Sequence, residues 1–257
     1  MEMAMSELNL EVVDHLAILT INRPEARNAV TLALSHSMVR AVDRINADPE
    51  IRVVILTGAD GNFCAGMDLK GFLKGELPRI DGRGFAGMTE APPKKPIIAA
   101  VEGYALGGGF ELALACDMIV ASETARFGLP EVKRGLVARG GGLLRLPQQM
   151  PYRKALELLM TGRFMDSAEA ERFGLINRIV PGGEALTAAL ELAAEIAANG
   201  PLAVAAVKEV VTRAQDWRSD EAFALQRAYT DPVFASEDAK EGAAAFAEKR
   251  TPEWKGR

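Results

Sequence analysis

The sequence predicts an α/β protein, and three observations carry that prediction. Short, continuous apolar runs of strand type alternate with segments of helical periodicity through the first part of the chain. From about Pro147 onward the pattern becomes helix after helix. A chain of 257 residues is also long enough to bury a large core. In order, "NLEVVDHLAILTINRP" holds two β-rich runs about Asp14 and His15 and reads as a hairpin that ends at the Asn22 to Pro24 turn. Val30, Leu34, Met38, Val42 and Ile45 then recur at helical spacing, and "IRVVILTG" is an apolar strand of the kind buried on both faces. "PIIAAVEG" is a strand, the glycine run after it opens a helix through about Ala115, and "DMIVAS" is a further strand. The rhythm resembles a loose spiral of ββα turns. "GEALTAALELAAEIAANG" and "PLAVAAVKEVVTRAQ" are helices. The expected boundary lies near residues 185 to 200, which gives an α/β core over 1–195 and a helical region over 196–257.

Composition narrows the function. Apolar residues make up 49 % and charged residues 25 % of the chain, as in ordinary globular proteins. The formal net charge of −5, with no basic run to offset it, argues against nucleic acid as a partner. No apolar stretch reaches the roughly 18 residues a membrane span needs. Cys64 and Cys116 are the only cysteines, which suits a reducing compartment. "MEMAMSELNLEVVD" has neither a basic n-region nor an apolar h-region, so a cytoplasmic location is expected.

The stretch "GYALGGGFELALACD", residues 103–117, sets three glycines before an apolar run that contains Glu111. If a helix begins near Gly108, its first N–H groups lack intrahelical partners and its dipole makes that end electropositive. Glycines there let another molecule approach the backbone. Glu111, one turn on, is about 4.5 Å along the axis, and its side chain tilts back toward those N–H groups. The arrangement is either an anion site or close packing with a dipole partner.

Two further stretches bear on that choice. "NFCAGMDL", residues 62–69, follows the carboxyl end of a buried strand, where α/β proteins place ligands. Within it Asp68 reads as the N-cap of a helix through Lys70 to Lys74, and the Met67 backbone N–H is the atom of interest. "RFGLPEVKRGL", residues 126–136, puts Glu131 after Pro130; alone this is a helix start, but with Glu111 it offers two carboxylates for acid/base work on one water.

Together, "INRPEARNAV", "FCAGMDL", "VEGYALGGGFELALACD", "ARFGLPEVKRGL", "GLLRLP", "RFGLINRIV" and "EGAAAFAEKR" resemble the crotonase (enoyl-CoA hydratase/isomerase) superfamily in order and spacing over nearly the whole chain. The resemblance implies a spiral of ββα units with a C-terminal helical region that forms homotrimers, or hexamers as dimers of trimers. It implies an acyl-CoA thioester substrate, with coenzyme A part of the substrate and neither a separate cofactor nor a metal. The Met67 and Gly108 N–H groups would bind the thioester oxygen, each such donor being worth about 3 to 4 kcal/mol as charge grows on it. Glu111 would orient and deprotonate the water that adds at C3, while Glu131 handles the proton at C2. Arg23, Ala26, Ala65, Asp68 and Leu69 match the segments that hold adenine and pantetheine. Phe246 and Lys249 match a C-terminal helix that meets CoA, often from a neighbouring subunit; equally, they read as a packed phenylalanine and a solvated lysine.

The implied reaction is hydration of a 2-enoyl-CoA, a hydro-lyase activity. The alternatives are carnitinyl-CoA dehydratase, which "DLKGFLKGELP", "GFAGMTE" and the C-terminal tail also resemble, an enoyl-CoA isomerase, and a non-catalytic acyl-CoA-binding protein on the same fold. Retention of both acids favours an enzyme. The chain departs from the common hydratase pattern at "GLVARGGGLL", where Ala138 and Arg139 replace the usual Pro-Gly. Arg139 either approaches the acyl pocket, favouring a polar or anionic acyl group, or points to solvent. Other classes lack their signatures. Leu112 stands at the third glycine place of a dinucleotide turn, and no glycine run ends in Gly-Lys-Ser/Thr. His15 and His36 are the only histidines, too few for a histidine metal site or a Ser-His-Asp hydrolase, and Cys64 without a histidine base reads as a small buried residue.

Overall fold

A computed structural model describes residues 7–257. The N-terminal stretch read for targeting features lies partly in residues 1–6, outside the described residues. Strands β1 (Leu8–Val13) and β2 (Leu16–Ile21) form the expected hairpin, with Val13 opposite Leu16. Asp14 and His15 make the turn at φ of 45° and 70°, a mirror-image conformation that matches the twist of the flanking strands. Helix α1 (Leu32–Ala47) starts where the Thr31 hydroxyl accepts the Leu34 N–H at 3.0 Å, and it buries Leu34, Met38, Val42 and Ile45.

Strand β3 (Val53–Gly58) leads to α2 (Leu69–Phe72) and a small ribbon of β4 (Arg79–Ile80) and β5 (Gly84–Phe85). The next turn of the chain is β6 (Ile97–Val101), β7 (Tyr104–Leu106) and α3 (Gly108–Leu114). The one after is β8 (Met118–Ser122), β9 (Arg126–Gly128), a 3-10 turn over Pro130–Arg134, and α4 (Gly142–Gln149). Each turn gives one strand to a large sheet of order β1-β2-β3-β6-β8 and one to a smaller sheet, where Cys64 bridges to Ala105 beside β7 and β7 pairs with β9. This is the ββα spiral. From β2 across to β8 the large sheet is parallel. Its strands are apolar throughout because both faces are covered: Val54, Leu56, Ile97 and Ala99 face the α1 and α3 side, while Val53, Ile55, Ile98 and Ala100 face the other.

The chain beyond Pro147 is not purely helical. After α5 (Tyr152–Thr161) come β10 (Met165–Asp166), α6 (Ser167–Arg172) and β11 (Arg178–Val180). Strand β10 pairs with β9, and β11 becomes the sixth strand of the large sheet beside β8. At two and three residues they are too short to leave a periodic signal. Helix α7 (Ala185–Ala197) then lays Ala189 and Ala193, with Ala185 and Ala197 at its ends, on the second face of the sheet. The 195/196 division thus falls within α7; the chain turns at Gly200, after which α8 (Pro201–Arg213), α9 (Ala222–Phe234) and α10 (Glu237–Glu248) follow. Lys208 of α8 is tied back to the core, with Nζ 2.7 Å from Asp117 and donating to the Pro93 and Lys95 carbonyls at 2.8 and 2.9 Å. No single helix among the described residues is long and apolar enough to cross a membrane.

The β7–α3 junction explains the glycine run. Gly107 has φ 55° and ψ −128°, a conformation open essentially to glycine alone. A Cβ on Gly108 would lie 2.3 Å from the Phe85 ring, and one on Gly109 would lie 2.1 Å from the Cys64 carbonyl oxygen. Gly109→Ala therefore forces main chain away from main chain. The expected outcome is a loss of about 3 kcal/mol or more, read as a lowered thermal midpoint or an insoluble product; an unchanged midpoint would contradict this packing.

Candidate active site

The site is built where the loop after β3 presses against the β7–α3 junction. Leu106 N–H donates to the Cys64 carbonyl at 3.0 Å, and Cys64 N–H to the Tyr104 carbonyl at 2.8 Å. Further along the loop, Met67 pairs with Val30 as a parallel bridge in which the Gly66 carbonyl accepts from Val30 and the Asp68 N–H donates to Val30, at 2.8 and 2.9 Å. In such a bridge the N–H of Met67 itself points to the opposite side. Gly108 N–H is the first of α3 and precedes any intrahelical acceptor. Neither N–H has an acceptor among the described residues. The two segments are close: a Cβ at Gly66 would lie 3.2 Å from Gly108 N and 2.7 Å from the Leu106 carbonyl oxygen. Two unsatisfied donors at a cavity wall are the elements of an oxyanion hole.

Glu111 and Glu131 line the same cavity as Met67 and Gly108, a space of about 260 Å³. Glu111 is 3 % exposed. Its Oε1 accepts the Gly142 N–H at 2.8 Å. Burial pushes its pKa up to about 7, with the charge of Glu131 adding to the rise and the amides of Gly142 and Gly140 opposing it. Glu131 is carried by the 3-10 turn, where Pro130 fixes the first residue. Its pKa is also raised, again chiefly by burial. Its Oε2 has no hydrogen-bond partner among the described residues, and its Oε1 would lie 3.1 Å from a Cβ at Gly107. Two interacting carboxyls of this kind titrate as a pair, and between their two ionisations they hold one proton, so an acid and a base face the same space.

The residues matched to coenzyme A divide into two groups. Ala65 and Leu69 line the cavity. Arg23 and Asp68 are bonded to one another, Nη1 to Oδ2 at 3.1 Å, and Arg23 also sits 3.0 Å from Glu7. Asp68 is the N-cap of α2 as expected, accepting the Lys70 and Gly71 N–H groups at 2.9 and 3.2 Å. Arg23, Asp68 and Ala26 in its 3-10 turn do not line the cavity. Phe246 and Lys249, at the end of α10, do not either; Phe246 is 87 % exposed. Phe85, Leu136 and Phe164 in the wall, and Gly140 and Gly142 as the seat of Glu111, are non-local contacts with no motif of their own in the sequence. Cys64 is fully buried, and burial raises its thiol pKa to about 12, which removes it as a nucleophile. Among the described residues no three His, Cys, Asp or Glu side chains gather as a metal site requires.

Burying Glu111 costs stability in a pH-dependent way. Its folded pKa of about 7 lies above the ordinary 4.5, so the folded chain holds the extra proton between those values. The stabilisation is full below pH 4.5 and is lost as pH rises through 7. Glu111→Gln keeps the acceptor for Gly142 and removes the charge. Relative to the parent, the variant gains on the order of 3 kcal/mol between pH 4 and 8, read as a widening gap between unfolding midpoints; a gap independent of pH would contradict the buried position of this acid.

Comparison with known proteins identifies the family. The sequence model of the family "Enoyl-CoA hydratase/isomerase" matches residues 11–257. The chain is 49 % identical over 245 residues to a carnitinyl-CoA dehydratase of Proteus mirabilis, covering 92 % of this chain and 94 % of that one. It is 46 % identical over 254 residues to an enoyl-CoA hydratase of Mycobacterium tuberculosis, covering 95 % and 94 %. The crystal structure of an enoyl-CoA hydratase from Mycobacterium tuberculosis superposes with a TM-score of 0.96 at 54 % identity, over 98 % of this chain and 99 % of that chain. Spiral, sequence and solved structures therefore coincide over almost the full length, and the chain belongs to the enoyl-CoA hydratase/isomerase (crotonase) family.

Proposed function

We propose that this chain is a hydro-lyase that adds water across the 2,3 double bond of a 2-enoyl-CoA thioester. The observation that carries the reading is the meeting, in one cavity, of two unsatisfied main-chain donors with two carboxyls of raised pKa. The Met67 and Gly108 N–H groups hold the thioester oxygen and stabilise the negative charge that develops there as C3 is attacked. Glu111, as carboxylate, takes a proton from water while the water oxygen bonds to C3. The electron pair of the double bond moves through C2 to the thioester oxygen, and as the carbonyl reforms C2 takes the proton carried by Glu131. The proton gained by Glu111 and that lost by Glu131 restore the pair through solvent exchange. Coenzyme A belongs to the substrate, and no step calls for a separate cofactor.

Ala65 and Leu69 line the cavity, which suits contact with the pantetheine arm, while Arg23 and Asp68 brace the loop through their ion pair. Phe246 and Lys249 lie outside the cavity of their own chain, which suits contact with CoA bound to a neighbouring copy in a homotrimer, alone or as a dimer of trimers. The apolar groove between α8 and α9, with Val207 and Val211 exposed and Phe234 84 % exposed, supports that assembly. The likeness to the Proteus carnitinyl-CoA dehydratase supports a second reading in which the same groups work on crotonobetainyl-CoA or its hydrated form.

Loss of enoyl-thioester absorbance, followed with crotonyl-CoA, longer 2-enoyl-CoAs and crotonobetainyl-CoA, tests the reaction. Turnover of crotonyl-CoA is expected; turnover of crotonobetainyl-CoA alone would move the assignment to the second reading. Glu111→Gln and Glu131→Gln are each expected to lower turnover at least about a hundredfold while acyl-CoA still binds. A variant with near-parental turnover removes that acid from the mechanism.

A further inference from the structure

Three guanidinium-bearing residues line the cavity: Arg79, Arg134 and Arg139. Arg79 is occupied, at 3.0 Å from Asp81 and 3.3 Å from Glu90. Arg134 lies on the same 3-10 turn as Glu131, favours the ionised form of that acid, and donates to the Pro130 carbonyl at 3.5 Å. Arg139 is exposed, and among the described residues it has neither an ion pair nor a hydrogen bond.

Its neighbour ties Arg139 to the proposed chemistry. A Cβ on Gly140 would lie 2.6 Å from Glu111 Oε2, so residue 140 closes directly on the acid assigned to C3. On the hydratase reading, which sets Glu111 at C3, Arg139 stands next to that acid in a wall shared with the apolar side chains of Leu136, Val137 and Phe164, a setting for an acyl chain. An unpaired guanidinium beside an apolar wall attracts a carboxylate through paired N–H donors and repels a fixed cation.

We propose that Arg139 selects the acyl group by charge, so that the site takes 2-enoyl thioesters whose acyl chain ends in a carboxylate and disfavours those ending in a quaternary ammonium. The proposal rests on the hydratase reading of the same cavity. Such a preference would differ from the one that the name carnitinyl-CoA dehydratase states for the Proteus mirabilis relative.

The test is calorimetric binding of three saturated, unreactive thioesters that differ only at the acyl terminus: glutaryl-CoA, butyryl-CoA and γ-butyrobetainyl-CoA. The parent protein should bind glutaryl-CoA most tightly and γ-butyrobetainyl-CoA most weakly. In Arg139→Gln the preference for glutaryl-CoA over butyryl-CoA should fall about tenfold, and the penalty on the cationic thioester should shrink. Arg139→Lys, which keeps the charge and loses the fork, should fall between the two. Equal weakening of all three thioesters would place Arg139 on the coenzyme and overturn the proposal, as would unchanged ratios. Crotonyl-CoA turnover, measured in parallel, separates the two claims: a charge preference without turnover would overturn the hydratase reading alone, and turnover without a charge preference would overturn this proposal alone.

Discussion

Everything in the site depends on two loops that touch main chain to main chain. Residues 64–67 and 104–109 are joined by amide-to-carbonyl bonds at 2.8 and 3.0 Å, and no Cβ fits between them at Gly66 or Gly109. The closeness brings the Met67 and Gly108 N–H groups to one cavity, and both are left without acceptors because the flanking amides bond elsewhere, Asp68 to the Val30 carbonyl and Gly107 to the Gly128 carbonyl. It also sets the start of α3, and hence the depth of Glu111 one turn later. Gly107 serves the second acid in the same way, since its missing side chain leaves room for Glu131.

Such a site works against the stability of the fold that holds it. Two donors without acceptors, two acids withdrawn from water and a carboxyl oxygen without a partner are each unfavourable in an apolar setting. The compensation lies in the parallel sheet, whose strands are buried on both faces, and in α7, whose alanine face allows close approach to it. A rigid platform of that kind keeps unsatisfied groups aimed at a substrate, so that binding itself supplies the missing partners.

Much of this was legible in the sequence, for physical reasons. Helix α1 and the strands β3, β6 and β8 announce themselves because periodicity and apolar runs report burial directly. "GYALGGGFELALACD" was readable because three glycines before an acid make poor sense except at a crowded helix start. The short strands β10 and β11 were missed, since two or three residues carry no period and their pairing is decided by the rest of the sheet. The ion pair of Arg23 with Asp68, the seat of Glu111 on Gly140 and Gly142, and the Phe85 ring over Gly108 were equally hidden. Each joins residues far apart in the chain, and nothing local distinguishes a paired arginine from a free one.

In the proposed reaction the Met67 and Gly108 amides converge on one thioester oxygen. Isotope-edited infrared difference spectroscopy of [1-13C]crotonyl-CoA bound to a Glu111→Gln, Glu131→Gln double variant reads that contact without turnover. The carbonyl stretch is expected well below its position in water, because two fixed donors polarise the bond more than solvent does. A stretch at the solution frequency, with the ligand demonstrably bound, would contradict it.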